Sequence, residues 1–156
     1  MAEIPNNEYK GILEKMPICC VDIVIHESNK VLLVRRKNKP AEGQLWLPGG
    51  RIYKNERLEE AAIRKAFEEV GTKIKIEKKI GVYEVMFNEG PFNDLKTGVH
   101  AISVCFLAKP LNKNIKIDDT SLDYVWIDKI SNELNPYVKE ILIDSKVLKS
   151  SRSPYK

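Results

Sequence analysis

The sequence predicts an α/β protein in which a mixed β-sheet packs between helices. An amphipathic helix, Leu58 to Val70, lies within a run of strand-like segments, and a second one, Leu134 to Leu148, follows that run. The first strand, Ile18 to Ile25, is apolar on both faces, which is typical of a central strand. Helices within and after a strand-rich run can cover a sheet from both sides, so this arrangement is expected.

The bulk composition predicts a single domain over residues 1–156. The chain is 43% hydrophobic and has a formal net charge of +4, which allows an adequate core. The charge is mild and no dense basic run is present, so a small polyanion is expected as partner rather than a nucleic-acid polymer. No apolar run has transmembrane length, and Met1 to Lys15 lacks the apolar core of a signal peptide. A cytoplasmic protein without a membrane partner is therefore expected.

The cysteines are consistent with that compartment. Cys19, Cys20 and Cys105 lie in strand-like runs and are predicted to be reduced core thiols. The sequence contains no paired Cys and His residues at the spacing of a zinc site, so zinc is not expected.

The first half of the chain is predicted to begin with residues 1–15, as a short helix or as an arm packed on the domain or on a second subunit. A homodimer is a possibility that this arm would support. The strand Ile18 to Ile25 then turns at Ser28-Asn29-Lys30 into a second strand, Val31 to Arg36, which forms a hairpin. A brief strand follows at Leu45 to Leu47.

The second half is predicted to alternate strands and loops before the terminal helix. The predicted strands are Lys73 to Phe87 with a break at Gly81, Val99 to Ala108, and Tyr124 to Ile127. Asn88 to Gly98 is a loop expected over the mouth of the site, and Leu111 to Ser121 is a second, polar loop. Residues 150–156 are predicted to be a frayed tail.

The stretch from Leu47 to Thr72 organises the chain. Gly49 and Gly50 allow the backbone to approach a ligand closely. The helix that follows ends at Gly71, a residue that favours a left-handed C-cap. Its predicted apolar arc consists of Leu58, Ala62, Ala66 and Val70, extended by Ile63 and Phe67.

The charged residues of this helix predict a cation site. Glu69 lies near the apolar edge, where a carboxylate needs a positive partner. Adjacent carboxylates at Glu68 and Glu69, facing a Gly-Gly turn, suggest oxygen ligands for a hard cation with room for phosphates. The alternative is a solvated helix face, with Arg64–Glu68 and Lys65–Glu69 pairs worth about a few tenths of a kcal/mol each. That alternative explains the pairs but not the preceding glycines.

Two further candidates lie outside this stretch. Asp22 interrupts the first strand and is either a buried acid paired with an arginine or a substrate contact. Arg35 and Arg36 end the second strand, where charged residues often face solvent but where one arginine could reach a phosphate.

The spacing in this stretch resembles the Nudix box, G-x5-E-x7-R-E-U-x-E-E-x-G-U, where U is a bulky aliphatic residue. The matching residues are Gly50, Glu56, Arg64, Glu68, Glu69 and Gly71, preceded by the usual lead-in at 46–50. Lys65 stands where the family has the first glutamate of its metal cluster, and Thr72 replaces the last aliphatic residue. The resemblance implies a Nudix-type α/β/α sandwich with a mixed central β-sheet and a hydrolase dependent on Mg²⁺, with Mn²⁺ as a substitute.

Residues 16–71 resemble one branch in particular, the GDP-mannose mannosyl hydrolases. The residues that carry this resemblance are Val21-Asp22, Arg35-Arg36, Lys39-Pro40-Ala41-Glu42-Gly43, Trp46 and Pro48-Gly49-Gly50-Arg51. This branch also lacks the glutamate replaced by Lys65. Most Nudix enzymes attack phosphorus, whereas this branch displaces a nucleoside diphosphate from the anomeric carbon of the sugar, with inversion.

The resemblance implies a role for each matched residue. Glu69 and the Gly49 carbonyl would be Mg²⁺ ligands, and Glu68 matches the general Nudix metal cluster. Arg36 and Arg51 would stabilise the departing diphosphate, a stabilisation greatest in the transition state. The two remaining roles are orientation of the substrate by Asp22 and a structural role for Arg64, paired with Glu56.

The resemblance is weaker in the second half of the site. Where the mannosyl branch has a Gln metal ligand followed by a His base, this chain has Thr120 and Ser121, and neither is a general base at neutral pH. Asp118 or Asp119 could take that role if the loop shifts its register.

Three functions follow from these observations. The first is hydrolysis of a GDP-sugar at the anomeric carbon, which for GDP-mannose gives GDP and mannose. The second is pyrophosphate cleavage in ADP-ribose, a nucleotide sugar or a nucleoside triphosphate, with Glu68 and Glu69 holding the metal. The third is a nucleotide-binding domain without hydrolysis, which Lys65, Thr120 and Ser121 would suit. In each case the ammonium of Lys65 should reduce the number of cations bound.

Overall fold

The computed structural model describes residues 3–149, so the predicted tail at 150–156 lies outside the described residues. In chain order, its helices and strands are α1 Asn6–Lys15, β1 Ile18–Glu27, β2 Lys30–Arg36, β3 Leu45–Trp46, β4 Gly49–Arg51, α2 Leu58–Val70, β5 Ile74–Phe87, β6 Val99–Pro110, β7 Ser121–Ile127 and α3 Pro136–Ser145. None of the helices described in residues 3–149 is long and apolar enough to cross a membrane.

The sheet is mixed, as predicted. Its strand order is β3-β2-β1-β6-β5, with β4 paired to β1 and β7 paired to β2. The central strand β1 runs parallel to β6, from the pair Ile18 and Ala101 to the pair Ile25 and Ala108. β4 adds to β1 in the antiparallel sense, and β5 adds to β6 in the same way. This arrangement places the glycine-rich segment directly beside the first strand.

Helices cover both faces of the sheet. Along β1, Ile23 and Ile25 pack in one buried cluster with the alanines of α2, whereas Val24 packs in a second cluster with Val138 and Ile141 of α3. Successive side chains of a strand point to opposite faces, so this alternation places α2 and α3 on opposite sides. The predicted α/β/α sandwich is confirmed.

Several boundaries differ from the predictions for local reasons. β5 is continuous through Gly81, where shifts in its register with β6 replace the predicted break. β4 was not predicted, because paired glycines usually indicate a turn. The third helix is shorter than predicted, since the side chain of Asn135 accepts a hydrogen bond from Tyr137 N at its start and Lys146 adopts a left-handed conformation at its end.

The buried face of α2 lies further round the helix than predicted. Ile63 and Phe67 are 42% and 55% exposed, so their assignment to the apolar arc is wrong, whereas Ala61 is fully buried. At about 100° per residue, the buried arc then runs from Ala61 to Val70 and contains Lys65 and Glu69 near its middle. Gly71 ends the helix with the expected left-handed backbone. The side chains of Lys65 and Glu69 therefore project from the buried side of α2.

The thiols only partly follow the prediction. All three cysteines are free, and Cys105 is buried. Cys19 is exposed, so the prediction of a core thiol is wrong at that position.

Candidate active site

A cavity of about 340 Å³ lies where β1, β4, α1 and α2 meet. Five of the predicted site residues line it, namely Asp22, Arg36, Gly49, Arg51 and Glu69. The other two, Arg64 and Glu68, do not line it. Tyr9, Lys65 and Tyr137 also contribute to its walls. The fold therefore gathers side chains from almost the whole length of the chain around one space.

Glu69 is held at the floor of this cavity by two partners. Its Oε1 atom lies 3.2 Å from Lys65 Nζ, and its Oε2 atom accepts a hydrogen bond of 3.1 Å from the backbone N–H of Gly49. Burial raises the pKa of Glu69, and Lys65 and the Gly49 N–H offset this only in part. The carboxylate is thus a costly buried charge that has the positive partner expected for it.

Lys65 is buried to a similar extent, with its side chain 17% exposed. Burial alone would lower the pKa of Lys65, but Glu69 and Glu68 outweigh this effect and the net shift is upward. Its Nζ atom is also 3.4 Å from Oε2 of Glu68. A protonated ammonium therefore stands between the two carboxylates of the predicted cation site.

Protein atoms approach both glycines closely, including backbone atoms at Gly49 and the end of a lysine side chain at Gly50. A Cβ atom at Gly49 would lie 2.2 Å from the carbonyl oxygen of Val21 and 2.3 Å from Oδ1 of Asp22. A Cβ atom at Gly50 would lie 2.6 Å from Cε of Lys65. The absence of side chains thus lets β4 fit between the strand that carries Asp22 and the helix that carries Lys65.

Asp22 is a buried acid that also lines the cavity. Its Oδ2 atom accepts hydrogen bonds of 2.7 Å from Ser103 Oγ and 2.7 Å from Tyr137 OH. Burial raises the pKa of Asp22, while these two hydroxyls and the charge of Arg36 lower it in part. Arg36 therefore contributes charge, and the hydrogen bonds come from hydroxyl groups rather than from the arginine partner considered above.

The two cavity arginines are each oriented by a neighbour. Arg36 Nε donates to the carbonyl oxygen of Pro40 at 2.7 Å. Burial lowers the pKa of Arg36, and Glu69 and Asp22 raise it in part. The guanidinium of Arg51 lies 4.3 Å from the ring centroid of Tyr9, which is cation–π distance. Helix α1 thus contributes a wall of the site.

Arg64 has a different environment outside the cavity. It donates to both carboxylate oxygens of Glu56, at 2.6 and 2.9 Å, and to the carbonyl oxygen of Arg51 at 3.0 Å. Its guanidinium also covers the ring of Tyr53. The Arg64–Glu56 pair expected from the resemblance is present. Through its hydrogen bond to the carbonyl oxygen of Arg51, Arg64 also holds the backbone of β4.

The polar loop before β7 is docked on the end of α2. Lys116 N donates to Val70 O at 2.9 Å, and Asp118 N donates to Glu69 O at 3.2 Å. Oδ1 of Asp118 accepts hydrogen bonds from the hydroxyl and the N–H of Thr120, which lines the cavity. Asp118 also raises the pKa of Glu69, so it belongs to the same electrostatic environment.

Sequence reasoning did not single out Tyr9, Ser103 or Tyr137 as site residues. Tyr137 is 115 positions from its partner Asp22, and no local pattern links the two. Lys65 was noted only as a departure from the family pattern. Its position on the helix, on the same arc as Ala61 and Ala62, was the signal that it points inward.

The carboxylates present fit one divalent cation. Among residues 3–149, no three His, Cys, Asp or Glu side chains are grouped so as to hold a metal ion by themselves. Glu69 with its neighbour Glu68 supplies carboxylate oxygens, and Mg²⁺ is commonly bound by one or two carboxylates together with substrate phosphates. These two carboxylates could therefore hold a cation together with the oxygens of a diphosphate.

Comparison with known proteins identifies the family of this chain. The family described as NUDIX domain matches residues 16–140. The low-salt glycan biosynthesis protein Agl8 of Haloferax volcanii is 31% identical over 139 residues, which cover 89% of this chain and 88% of that protein. An ADP-ribose pyrophosphatase of Methanocaldococcus jannaschii is 34% identical over 112 residues, covering 72% of this chain and 62% of that protein.

Solved structures share the fold. A MutT protein from Methanosarcina mazei superposes with a TM-score of 0.69 at 22% identity, covering 85% of this chain and 94% of that one. At this identity the similarity shows the fold alone.

Proposed function

This chain belongs to the NUDIX family, whose hydrolases act on nucleoside diphosphate-linked substrates, and we propose that it hydrolyses a GDP-sugar, with GDP-mannose as the best candidate. The observation that carries this proposal is the cavity itself. It places the cations Arg36, Arg51 and Lys65 beside the carboxylates Glu69 and Asp22. Such a site has charge for a diphosphate and a separate hydrogen-bond acceptor for the group attached to it.

The diphosphate would lie along the cationic side of the cavity. Arg36 and Arg51 present guanidinium groups that bind phosphate oxygens through two parallel hydrogen bonds. Glu69, with Glu68 and the Gly49 carbonyl, would hold Mg²⁺ or Mn²⁺. When bound, the ion would offset the negative charge that develops on the leaving oxygen.

The sugar would lie beside Asp22, Trp46 and Tyr137. Asp22 is held in place by Ser103 and Tyr137 and offers carboxylate oxygens to sugar hydroxyls. Trp46 stacks on Tyr137, with their ring centroids 5.4 Å apart, and both line the cavity. Aromatic walls with a few fixed polar groups are typical of small-molecule sites. The relative named for glycan biosynthesis also supports a substrate that contains a sugar.

We assign the general base to Asp118 in preference to Asp119. Water attacking the anomeric carbon must lose a proton as the new C–O bond forms and the bond to the diphosphate breaks. Asp118 is tied to Thr120 at the cavity wall and lies close to Glu69. These contacts connect Asp118 to the cavity wall and favour it over Asp119 as the proposed base.

Pyrophosphate cleavage is the second candidate. The similarity to an ADP-ribose pyrophosphatase and the presence of both Glu68 and Glu69 favour it. A nucleotide-binding domain without hydrolysis is the third, favoured by the ion pairs through which Lys65 occupies both carboxylates. The cytoplasmic location and the homodimer remain predictions.

Product identification separates these candidates. The protein would be incubated with Mg²⁺ and GDP-mannose near neutral pH, and phosphorus NMR would follow the products. GDP with free mannose is the expected result and means attack at carbon. GMP with mannose 1-phosphate would mean attack at phosphorus and would replace the first candidate with the second. No turnover of GDP-mannose would contradict the proposed substrate, and ADP-ribose would then be tested for AMP and ribose 5-phosphate.

A further inference from the structure

We propose that Lys65 binds the substrate diphosphate directly, as a fixed cation in place of a second metal ion. This inference rests on the proposed function, because it assumes a diphosphate in the cavity. It assigns to this lysine a binding role that its ion pairs with Glu68 and Glu69 do not by themselves require.

The position of Lys65 supports a role in the cavity. The side chain extends from the buried arc of α2, and its Cε atom packs against Gly50. A Cβ atom added to Gly50 would lie only 2.6 Å from this Cε atom. Lys65 lines the cavity together with Arg36 and Arg51. The glycine thus makes room for the lysine to reach the same space as the two arginines.

The hydrogen-bonding capacity of the ammonium is not exhausted. A lysine ammonium has three N–H donors. Its ion-pair partners among the described residues are Oε1 of Glu69 at 3.2 Å and Oε2 of Glu68 at 3.4 Å. One N–H therefore remains for a ligand oxygen, while the two carboxylates keep the ammonium in place.

The cationic side chains of the cavity suit a diphosphate. Arg36, Lys39, Arg51 and Lys65 line it together with the carboxylates of Asp22 and Glu69. Lys39 also pairs with Glu89 at 3.5 Å and Lys65 with Glu68 at 3.4 Å, whereas no ion pair within 4 Å engages Arg36 or Arg51 among the described residues. A diphosphate that joins two groups carries one negative charge on each phosphate at neutral pH. The two arginines and the remaining N–H of Lys65 can thus bind its oxygens.

Two consequences follow from this arrangement. Diphosphate binding should persist without a divalent cation, because the protein already supplies cationic hydrogen-bond donors for the phosphate oxygens. In addition, the ammonium occupies space beside Glu68 and Glu69 that a second ion would need, and like charges repel at this distance. The site should therefore hold one ion rather than two.

The first test is calorimetric titration of the full chain with inorganic pyrophosphate, in the presence of a chelator and then with Mg²⁺. Lys65→Gln and Lys65→Met should weaken metal-free binding by about tenfold or more, the usual effect of losing a charged hydrogen bond. Lys65→Arg should retain most of it. Lys113→Gln, at an exposed lysine outside the cavity, is the control and should bind as the wild type does. Two neutral variants are used. If circular dichroism shows that one of them is misfolded, the other still tests the role of Lys65.

The outcomes distinguish this inference from the proposed function. Wild-type affinity in both neutral variants would overturn the role of Lys65. Wild-type binding that requires Mg²⁺ would overturn the metal-free consequence and leave the proposed function intact. No binding of pyrophosphate under either condition would overturn both.

A second test counts metal ions. Electron paramagnetic resonance of free Mn²⁺, in the presence of pyrophosphate, should show one bound ion for the wild type. Lys65→Glu removes the ammonium and adds a carboxylate, so it should bind two ions. Two ions in the wild type, or one in a folded Lys65→Glu variant, would contradict the proposal.

Discussion

The backbone N–H of Gly49 donates to Oε2 of Glu69 at 3.1 Å and so joins β4 to α2 across the floor of the cavity. The other oxygen of Glu69 pairs with Lys65, and the residue is held from two sides. The first contact joins two elements, and the second is an i,i+4 pair within α2. The geometry of this carboxylate is therefore set by the packing of β4 on α2, which makes it sensitive to small changes.

Glu69→Gln should reduce turnover on the order of 100-fold or more, because a neutral amide keeps the shape of the side chain but loses the charge proposed to hold the cation. Initial rates at saturating substrate would measure this. Glu59→Gln, at an exposed glutamate of the same helix, is the matched control and should have the wild-type rate. Full activity in Glu69→Gln would refute the metal assignment.

Asp118→Asn should lower kcat by about 100-fold, because the amide cannot accept the proton of the attacking water. Asp119→Asn should leave kcat almost unchanged, and it tests whether the effect is specific to position. The measurement is kcat at saturating substrate for both variants. The assignment fails if Asp119→Asn shows the larger loss.

Tyr9→Ala should raise KM roughly threefold to tenfold with a smaller change in kcat, because Arg51 loses the aromatic ring that orients it. Tyr9→Phe keeps the ring and should resemble the wild type. Steady-state kinetics of the two variants would separate the ring from the hydroxyl. Equal KM values in Tyr9→Ala and the wild type would show that α1 does not influence substrate binding.

Glu56→Gln should lower the free energy of unfolding at neutral pH by about 2 kcal/mol, the order expected for a charged hydrogen bond. The hydrogen bonds from Arg64 hold the pKa of Glu56 below its ordinary value of 4.5. A lowered carboxyl pKa contributes stability above the ordinary pKa, and this contribution disappears as the pH falls through the lowered value. The difference between wild type and variant should thus shrink below about pH 4.

Urea unfolding at several pH values would measure that difference. Glu59→Gln serves again as the control, since Glu59 is exposed and makes no side-chain hydrogen bond or ion pair among the described residues. Its effect on stability should be small at every pH. A penalty for Glu56→Gln that stays constant down to pH 3 would show that the loss has a cause other than the charge of Glu56.

The predicted elements that agree with the structure depend on neighbouring residues. The helix from Leu58 to Val70 and its end at Gly71 follow from periodicity and from the backbone freedom of glycine, both of which are local. The alternative of a merely solvated helix face is wrong for Lys65 and Glu69, which point into the cavity. Ile63 and Phe67 show the limit of the same reasoning, because a helical wheel shows which residues share a face but not how far round the helix the sheet reaches.

The sequence by itself determined the family, the mixed sheet between helices and most of the cationic side of the site, because the spacing from Gly50 to Gly71 lies within one continuous segment. Only the tertiary structure decided that Tyr9, Ser103 and Tyr137 join this site. Their contacts bridge segments far apart in the chain, and the contact of Tyr137 with Asp22 spans 115 positions. Such contacts follow from how strands and helices stack, since burial and charge pairing are decided between elements and not within them.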